Sequence, residues 1–233
     1  ELRQRGAQRV GIIGPLGVAK YRQLEAQFAM VALDAEYVRL RMIKSAEEID
    51  WLRIGAALSD AGLQALVAQT RPGLDERELG AIVESAYIRH GGTTMIHYIG
   101  VTQMTQPHLF VPPQHPSPRK VCAGDVVSCE LSAFWWDYPG QVLRTFTVAA
   151  EPTPLYRELH ATAEAAFDAV TRVVRHGATT AEILDATALI ENRGYTVCDD
   201  LMHGFGGGYF QPIIGTRSRM AGTLPDMTLE ENM

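Results

Sequence analysis

The sequence predicts an α+β fold of two pseudo-symmetric helix–helix–strand halves around a curved antiparallel sheet, and three observations carry that prediction. The segment "TRPGLDERELGAIVESAYIRHGG" recurs as "VRHGATTAEILDATALIENRGY": Arg71, Gly73 and Glu78 are matched by Arg175, Gly177 and Glu182 at a constant offset of 104 residues, and Arg53 and Ala57 by Arg157 and Ala161 at the same offset. Each copy is followed by strand-like sequence, from Met95 to Val148 in the first half and from Val197 to the end of the chain in the second. The composition of the 233 residues, 46% hydrophobic and 21% charged, is that of a globular chain able to bury a sizeable core. A net charge of -6 offers no basic field for a phosphate backbone, and no apolar run approaches the roughly 18 residues of a membrane span, so neither nucleic acid nor membrane is expected as a partner.

Taken in chain order, "ELRQRGAQRVGIIG" has no initiating Met and no hydrophobic signal region, so the chain is expected to start inside a longer one. "RVGIIG" reads as a buried strand, "AKYRQLEAQF" as a helix and "MVALDAEYVRLRMIKS" as a strand leading outward. Residues 1–40 are therefore expected to be a fragment of another unit, without the partners for a sheet of its own. At Ser45 the pattern changes, because "SAEE" is a capping box in which the Ser45 hydroxyl and Glu48 carboxylate satisfy free donors at a helix start. Ile49, Leu52, Leu63, Leu66 and Val67 then mark the buried stripe of a long helix that Pro72 and Gly73 end. A second helix follows over "DERELGAIVESAYIRHGG", closed by Gly91 and Gly92. Cys122, Cys129 and Cys198 show no Cys-x-x-Cys spacing and cannot all pair, which fits a reducing cytoplasm.

The chemistry concentrates in "CELSAFWWDYPGQVLRTFTVAAEP", an apolar hairpin that nonetheless carries an acid, an amide and a guanidinium. Alternation in "DVVSCELSAF" sends Val127, Cys129, Leu131 and Ala133 to one face and Val126, Ser128, Glu130 and Ser132 to the other, while Gln141, Leu143, Thr145 and Thr147 share one side of the returning strand. Glu130 and Gln141 are thus expected to point together into a cleft between the halves, either as working groups or as a cross-strand pair without chemistry. Arg144 is expected to pair with an acid behind the sheet. Trp135, Trp136 and Tyr138 cap the hairpin tip as a substrate wall or a dimer contact.

On "RMIKSAEEIDWLR", "GDVVSCELSAFWWDYPGQVLRTF" and "LMHGFGGG", the chain from about Arg41 onward resembles the pita-bread proteins of peptidase family M24, which include methionine aminopeptidases, aminopeptidase P, prolidase and creatinase. The resemblance implies that residues 1–40 end an N-terminal creatinase-like domain and that 41–233 form a catalytic-type domain, incomplete at its C-terminal end. Metal-dependent members place Asp at the positions of Glu130 and Gln141, His at the position of His203 and two glutamates further on, a cage for two divalent ions that polarise a carbonyl and generate hydroxide. Here the bridging carboxylate is an amide, the glutamates fall at or beyond Met233, and Phe210 stands where a further histidine is expected. By the same resemblance His108, 22 residues before Glu130, takes the place of a non-ligand active-site histidine, the proton-transfer group in creatinase, which works without metal. His108, His203 and Glu130 are accordingly the expected catalytic residues, Gln141, His97 and Tyr209 the expected substrate contacts, and Glu130 and His203 the ligands of one divalent ion (manganese, zinc or cobalt) if any binds. Three functions follow: a creatinase-like or aminopeptidase-P-like hydrolase of a carbon–nitrogen bond in a small molecule or short peptide, a conventional metal-dependent Xaa-Pro peptidase, or a non-catalytic binding module. The family tendency implies a homodimer.

Overall fold

A computed structural model describes residues 1–220 and 222–233 and divides into two compact units, Glu1–Ile43 and Lys44–Met233. In the first unit, β1 (Arg9–Ile12), α1 (Val18–Glu25), β2 (Ala29–Ala32) and α2 (Asp34–Met42) follow one another. The helical crossover brings β2 beside β1 in parallel, so the segment does form a small sheet of its own, contrary to the sequence expectation. The outward strand expected over 30–45 also stops at Ala32. Asp34 and Glu36 occupy the first turn of α2 and Arg39 and Arg41 its last, an arrangement that suits the helix dipole at both ends, and Asp34 Oδ1 accepts the Gly14 N–H at 2.7 Å.

The second unit runs α3 (Ala46–Gln69), α4 (Glu76–Tyr87), β3 (Thr93–Gln103), β4 (Asp125–Trp135), β5 (Tyr138–Thr147), α5 (Pro154–Val173), α6 (Thr180–Ala186), α7 (Ala188–Asn192), β6 (Met202–Phe205) and β7 (Tyr209–Ile214). β3, β4 and β5 form an antiparallel sheet in that order, and β6 and β7 an antiparallel hairpin. Leu58 and Leu66 of α3 and Leu79, Val83 and Tyr87 of α4 pack on Val101, Val127, Leu131 and Ala133 of the sheet, while Val67, expected in that stripe, is half exposed. A smaller core joins Ala178, Ile183 and Leu184 to Ile214 and Leu229. Among the described residues no helix is long and apolar enough to cross a membrane.

The internal repeat is visible as matched backbone geometry. Asp75 and Thr179, 104 residues apart, each cap a helix in a reciprocal box with Glu78 and Glu182. Gly73 and Gly177 ahead of them adopt positive φ, where glycine alone is free of Cβ strain. Each turn is latched by two hydrogen bonds to a later segment: Gly73 N–H to the Val121 carbonyl and Val121 N–H back to Leu74, and Gly177 N–H to the Leu229 carbonyl and Leu229 N–H back to Ala178.

Helix α3 crosses β5 at backbone distance. A Cβ on Gly140 would lie 2.2 Å from Ala56 Cα, and one on Gly55 would lie 2.6 Å from the Tyr138 carbonyl oxygen. Ser59 uses this proximity, accepting the Ala133 N–H at 2.9 Å and donating to the Gly140 carbonyl at 2.8 Å. At the hairpin tip Trp136 and Asp137 turn the chain with φ of 48° and 64°; Trp136 is exposed, Trp135 packs against the core, and the Tyr138 hydroxyl donates to Glu48 at 2.6 Å.

Candidate functional site

Register decides which side chains meet. Glu130 of β4 lies opposite Leu143 of β5 on one side and Tyr98 of β3 on the other, and Ser132 lies opposite Gln141. Glu130 and Gln141 are therefore diagonal neighbours on one face, and the Gln141 amide donates from Nε2 to Glu130 Oε1 at 2.7 Å. Its other end meets the second half of the chain: Gln141 Oε1 lies 3.1 Å from His203 Nε2, so the imidazole donates there, while His203 Nδ1 faces the Gly204 carbonyl at 3.1 Å. One carboxylate, one amide and one imidazole thus form a continuous chain.

The local sequence around His203 explains its pose. Gly206, Gly207 and Gly208 all have positive φ, which turns the chain sharply enough for β7 to return beside β6. Tyr209 then stacks on the His203 ring with centroids 4.0 Å apart at 31°, and Phe205 meets the same ring edge-on at 5.3 Å. Burial raises the Glu130 carboxyl above its ordinary range and the negative charge of Asp199 adds to the rise, with His203 opposing it. Asp200 is raised by the same causes in the same order. Sequence reasoning misses Tyr98, Asp199 and Asp200: "CDD" just ahead of "LMHG" is the signal for the two acids, and Tyr98 follows only from the β3–β4 register.

The remaining expected residues lie apart from this chain. His108 sits on the loop after β3, held by Thr102, whose Oγ1 accepts the His108 N–H at 3.0 Å and lies 2.8 Å from its Nδ1. That loop crosses the same sheet face as Glu130, since Leu109, Pro112 and Pro113 sit where a Gly100 side chain would be. Among the described residues no hydrogen bond joins His108 to Glu130, Gln141 or His203. His97 lies on the opposite face, paired with Leu131 and bonded through Nε2 to the Tyr87 hydroxyl at 2.8 Å. Arg144 donates to the neighbouring Leu143 carbonyl at 2.7 Å in place of the acid expected for it. One buried polar atom on the Glu130 face, Ser132 Oγ, has no hydrogen-bond partner.

The donors at this place are one carboxylate, one amide and one imidazole. Gln141 brings no charge, its N–H group donates to Glu130 Oε1, and His203 Nε2 is turned to the amide oxygen. Among the described residues no group of three or more His, Cys, Asp or Glu side chains has the arrangement of a metal site.

Comparison with known proteins shows the family and the fold. The profile of metallopeptidase family M24 matches residues 50–233. The chain is 28% identical over 174 residues to a Xaa-Pro dipeptidase of Pyrococcus furiosus, covering 72% of this chain and 47% of the relative, and 28% identical over 158 residues to an uncharacterized hydrolase/peptidase of Sinorhizobium fredii, covering 67% and 40%. It therefore spans less than half the length of these curated relatives. Among solved structures it resembles an X-Pro aminopeptidase from Thermotoga maritima (TM-score 0.81, 20% identity, 99% of this chain and 65% of the other) and a prolidase from Pyrococcus furiosus (TM-score 0.80, 22% identity, 97% and 66%). At that identity the likeness is one of fold, and the fold is the pita-bread fold.

Proposed function

The chain belongs to metallopeptidase family M24, and from that membership we propose that it hydrolyses a carbon–nitrogen bond in a short peptide or other small substrate, in the manner of creatinase or an Xaa-Pro peptidase, with protons carried by histidine at a site whose dinuclear metal cage is lost. The observation that carries the reading is the Gln141 amide, which ties Glu130 to His203 at 2.7 and 3.1 Å at the position where the resemblance calls for a bridging carboxylate. Hydrolysis needs a base for the attacking water and an acid for the departing nitrogen, roles that a positioned imidazole fills with a rate gain of about 100-fold to 10,000-fold. In this proposal His108 takes the proton from water and returns it to the leaving nitrogen. Glu130 and His203 hold the substrate's polar groups through Gln141, and Tyr209, half exposed against His203, forms the wall. Three free cysteines support the cytoplasmic setting that the proposal includes, and the homodimer rests on the family tendency alone.

The second reading, a conventional metal-dependent Xaa-Pro peptidase, is favoured by the similarity to the Xaa-Pro dipeptidase of Pyrococcus furiosus. Elemental mass spectrometry of the dialysed protein, after exposure to manganese, cobalt and zinc, separates the two. The proposal expects less than one equivalent of metal, turnover of Xaa-Pro dipeptides or small amidino and N-methyl substrates, and loss of that turnover in a folded His108→Ala variant. Two equivalents of metal with undiminished activity of His108→Ala would overturn it.

A further inference from the structure

Two successive backbone N–H groups of β4, at Ser132 and Ala133, are taken by side chains that belong to other elements. Ser132 N–H donates to His97 Nδ1 of β3 at 3.3 Å, beside the register shift between Thr94 and Ile96, and Ala133 N–H donates to Ser59 Oγ of α3 at 2.9 Å. Ser59 passes the bond on, donating to the Gly140 carbonyl of β5 at 2.8 Å. Ser132 is the cross-strand partner of Gln141, and Ala133 that of Gly140. The stretch of sheet that aims the Gln141 amide is therefore held by two inserted side chains as well as by its own ladder.

The His97 ring is fixed in turn. Because Nδ1 accepts the Ser132 N–H, neutral His97 carries its proton on Nε2 and donates to the Tyr87 hydroxyl at 2.8 Å. That hydroxyl then donates to Thr94 Oγ1, and Thr94 Oγ1 donates to Glu84 Oε1 at 3.2 Å. Every donor in this relay points one way, from the β4 backbone to a carboxylate on α4. Burial favours the neutral ring on which the relay depends, lowering the His97 value, while the Glu84 charge opposes the fall.

We propose that His97 and Ser59 are positioning residues for Gln141, His97 fixing Ser132 of β4 against β3 and Ser59 fixing the spacing of β4 and β5 at Ala133 and Gly140, so that one amide reaches both Glu130 and His203. The inference rests on the reading of Glu130, Gln141 and His203 as the working site. His97 acts from the far face of the sheet, through the strand and without touching substrate.

The test compares two variants with wild type by amide hydrogen exchange and by the side-chain amide resonances of Gln141, with a third in reserve. In His97→Leu the Ser132 amide loses its acceptor and its protection falls by up to about tenfold, the equivalent of one ordinary hydrogen bond, while the Gln141 side-chain resonances shift. In His97→Asn the Oδ1 atom reaches the place of Nδ1, and both observables return toward wild type. A role in stability alone predicts the same Gln141 resonances in all folded variants, and that result overturns the proposal. Equal behaviour of the leucine and asparagine variants does so too. Should His97→Leu fail to fold, Tyr87→Phe decides, since it removes the group that fixes the Nε2–H tautomer: Ser132 protection drops by about threefold or more if the relay orients the ring, and unchanged protection refutes it. These signals report geometry whether or not a substrate is hydrolysed, so failure of the hydrolase reading leaves the result interpretable.

Discussion

Adding a single methyl group at Gly140 is expected to damage the protein severely, and the structure gives the size of the damage. The new Cβ would stand 2.2 Å from Ala56 Cα and N and 2.4 Å from Gly55 C, where ordinary contact begins at 3.4 Å, so about 1.2 Å must be found. No rotamer change can supply it because the opposing atoms are helix backbone. Either α3 or the tip of β5 must move, and the movement separates Ser59 Oγ from the Gly140 carbonyl and the Ala133 N–H. Overpacking a core costs about 1–3 kcal/mol, and each disrupted hydrogen bond about 0.5–1.5 kcal/mol, for an expected loss of roughly 2–6 kcal/mol against a total stability of about 5–15 kcal/mol. Gly80 provides the control. It lies within α4 with nothing within 4 Å of its would-be Cβ, so Gly80→Ala is expected to stabilise by about 0.4–1 kcal/mol. Urea unfolding of both variants, read as midpoint and slope, checks the pair. A Gly140→Ala loss below about 1 kcal/mol would refute the claim that α3 and β5 meet backbone to backbone.

Two further outcomes are expected. Gln141→Asp restores a carboxylate between Glu130 and His203 and should tighten manganese binding by about tenfold or more in a titration, whereas an unchanged dissociation constant would show that position 141 does not face a cation-accessible cleft. Asp125 is fully buried, which by itself raises its carboxyl, but the two 2.8 Å bonds from Arg119 and the Cys122 amide outweigh burial and leave it below its ordinary value of 3.8. Its stabilising contribution is therefore fully present above that ordinary value and lost as the pH falls from there through the lowered folded value. The gap in urea midpoint between wild type and Asp125→Asn should be constant from pH 7 to 5 and close below about pH 4; a gap independent of pH would remove the ion pair as its cause.

The sequence was legible where a local rule and the tertiary structure agree. The capping box at Ser45 marks the start of α3, and Gly91 closes the helical turn after α4, because each satisfies backbone groups within a few residues. Strand alternation likewise placed Glu130 and Gln141 on one face, since a pleated strand leaves no other choice. Reading 34–42 as strand failed because the apolar run of β2 continues into a segment whose end charges favour a helix. The neighbourhood of His97 in sequence points to the cleft, but its pairing with Leu131 across the β3–β4 register puts it on the other face, where it meets the Tyr87 hydroxyl. The same limit hid Ser59: nothing in "AALSDAG" announces that one hydroxyl will sit between two strands, 74 and 81 residues further along the chain.

The two latches of the repeated turn give the protein an internal standard. Val121 and Leu229 donate their amide hydrogens in the same backbone pattern to the same kind of turn, so once each rate is divided by the intrinsic rate of its own Lys120–Val121 or Thr228–Leu229 peptide the two can be compared directly. What remains is the difference in opening free energy between the two halves, measured in one sample under one set of conditions. The Val121 latch is backed by the larger apolar cluster and the Leu229 latch by the smaller, so the faster of the two clocks should be the one in the second half.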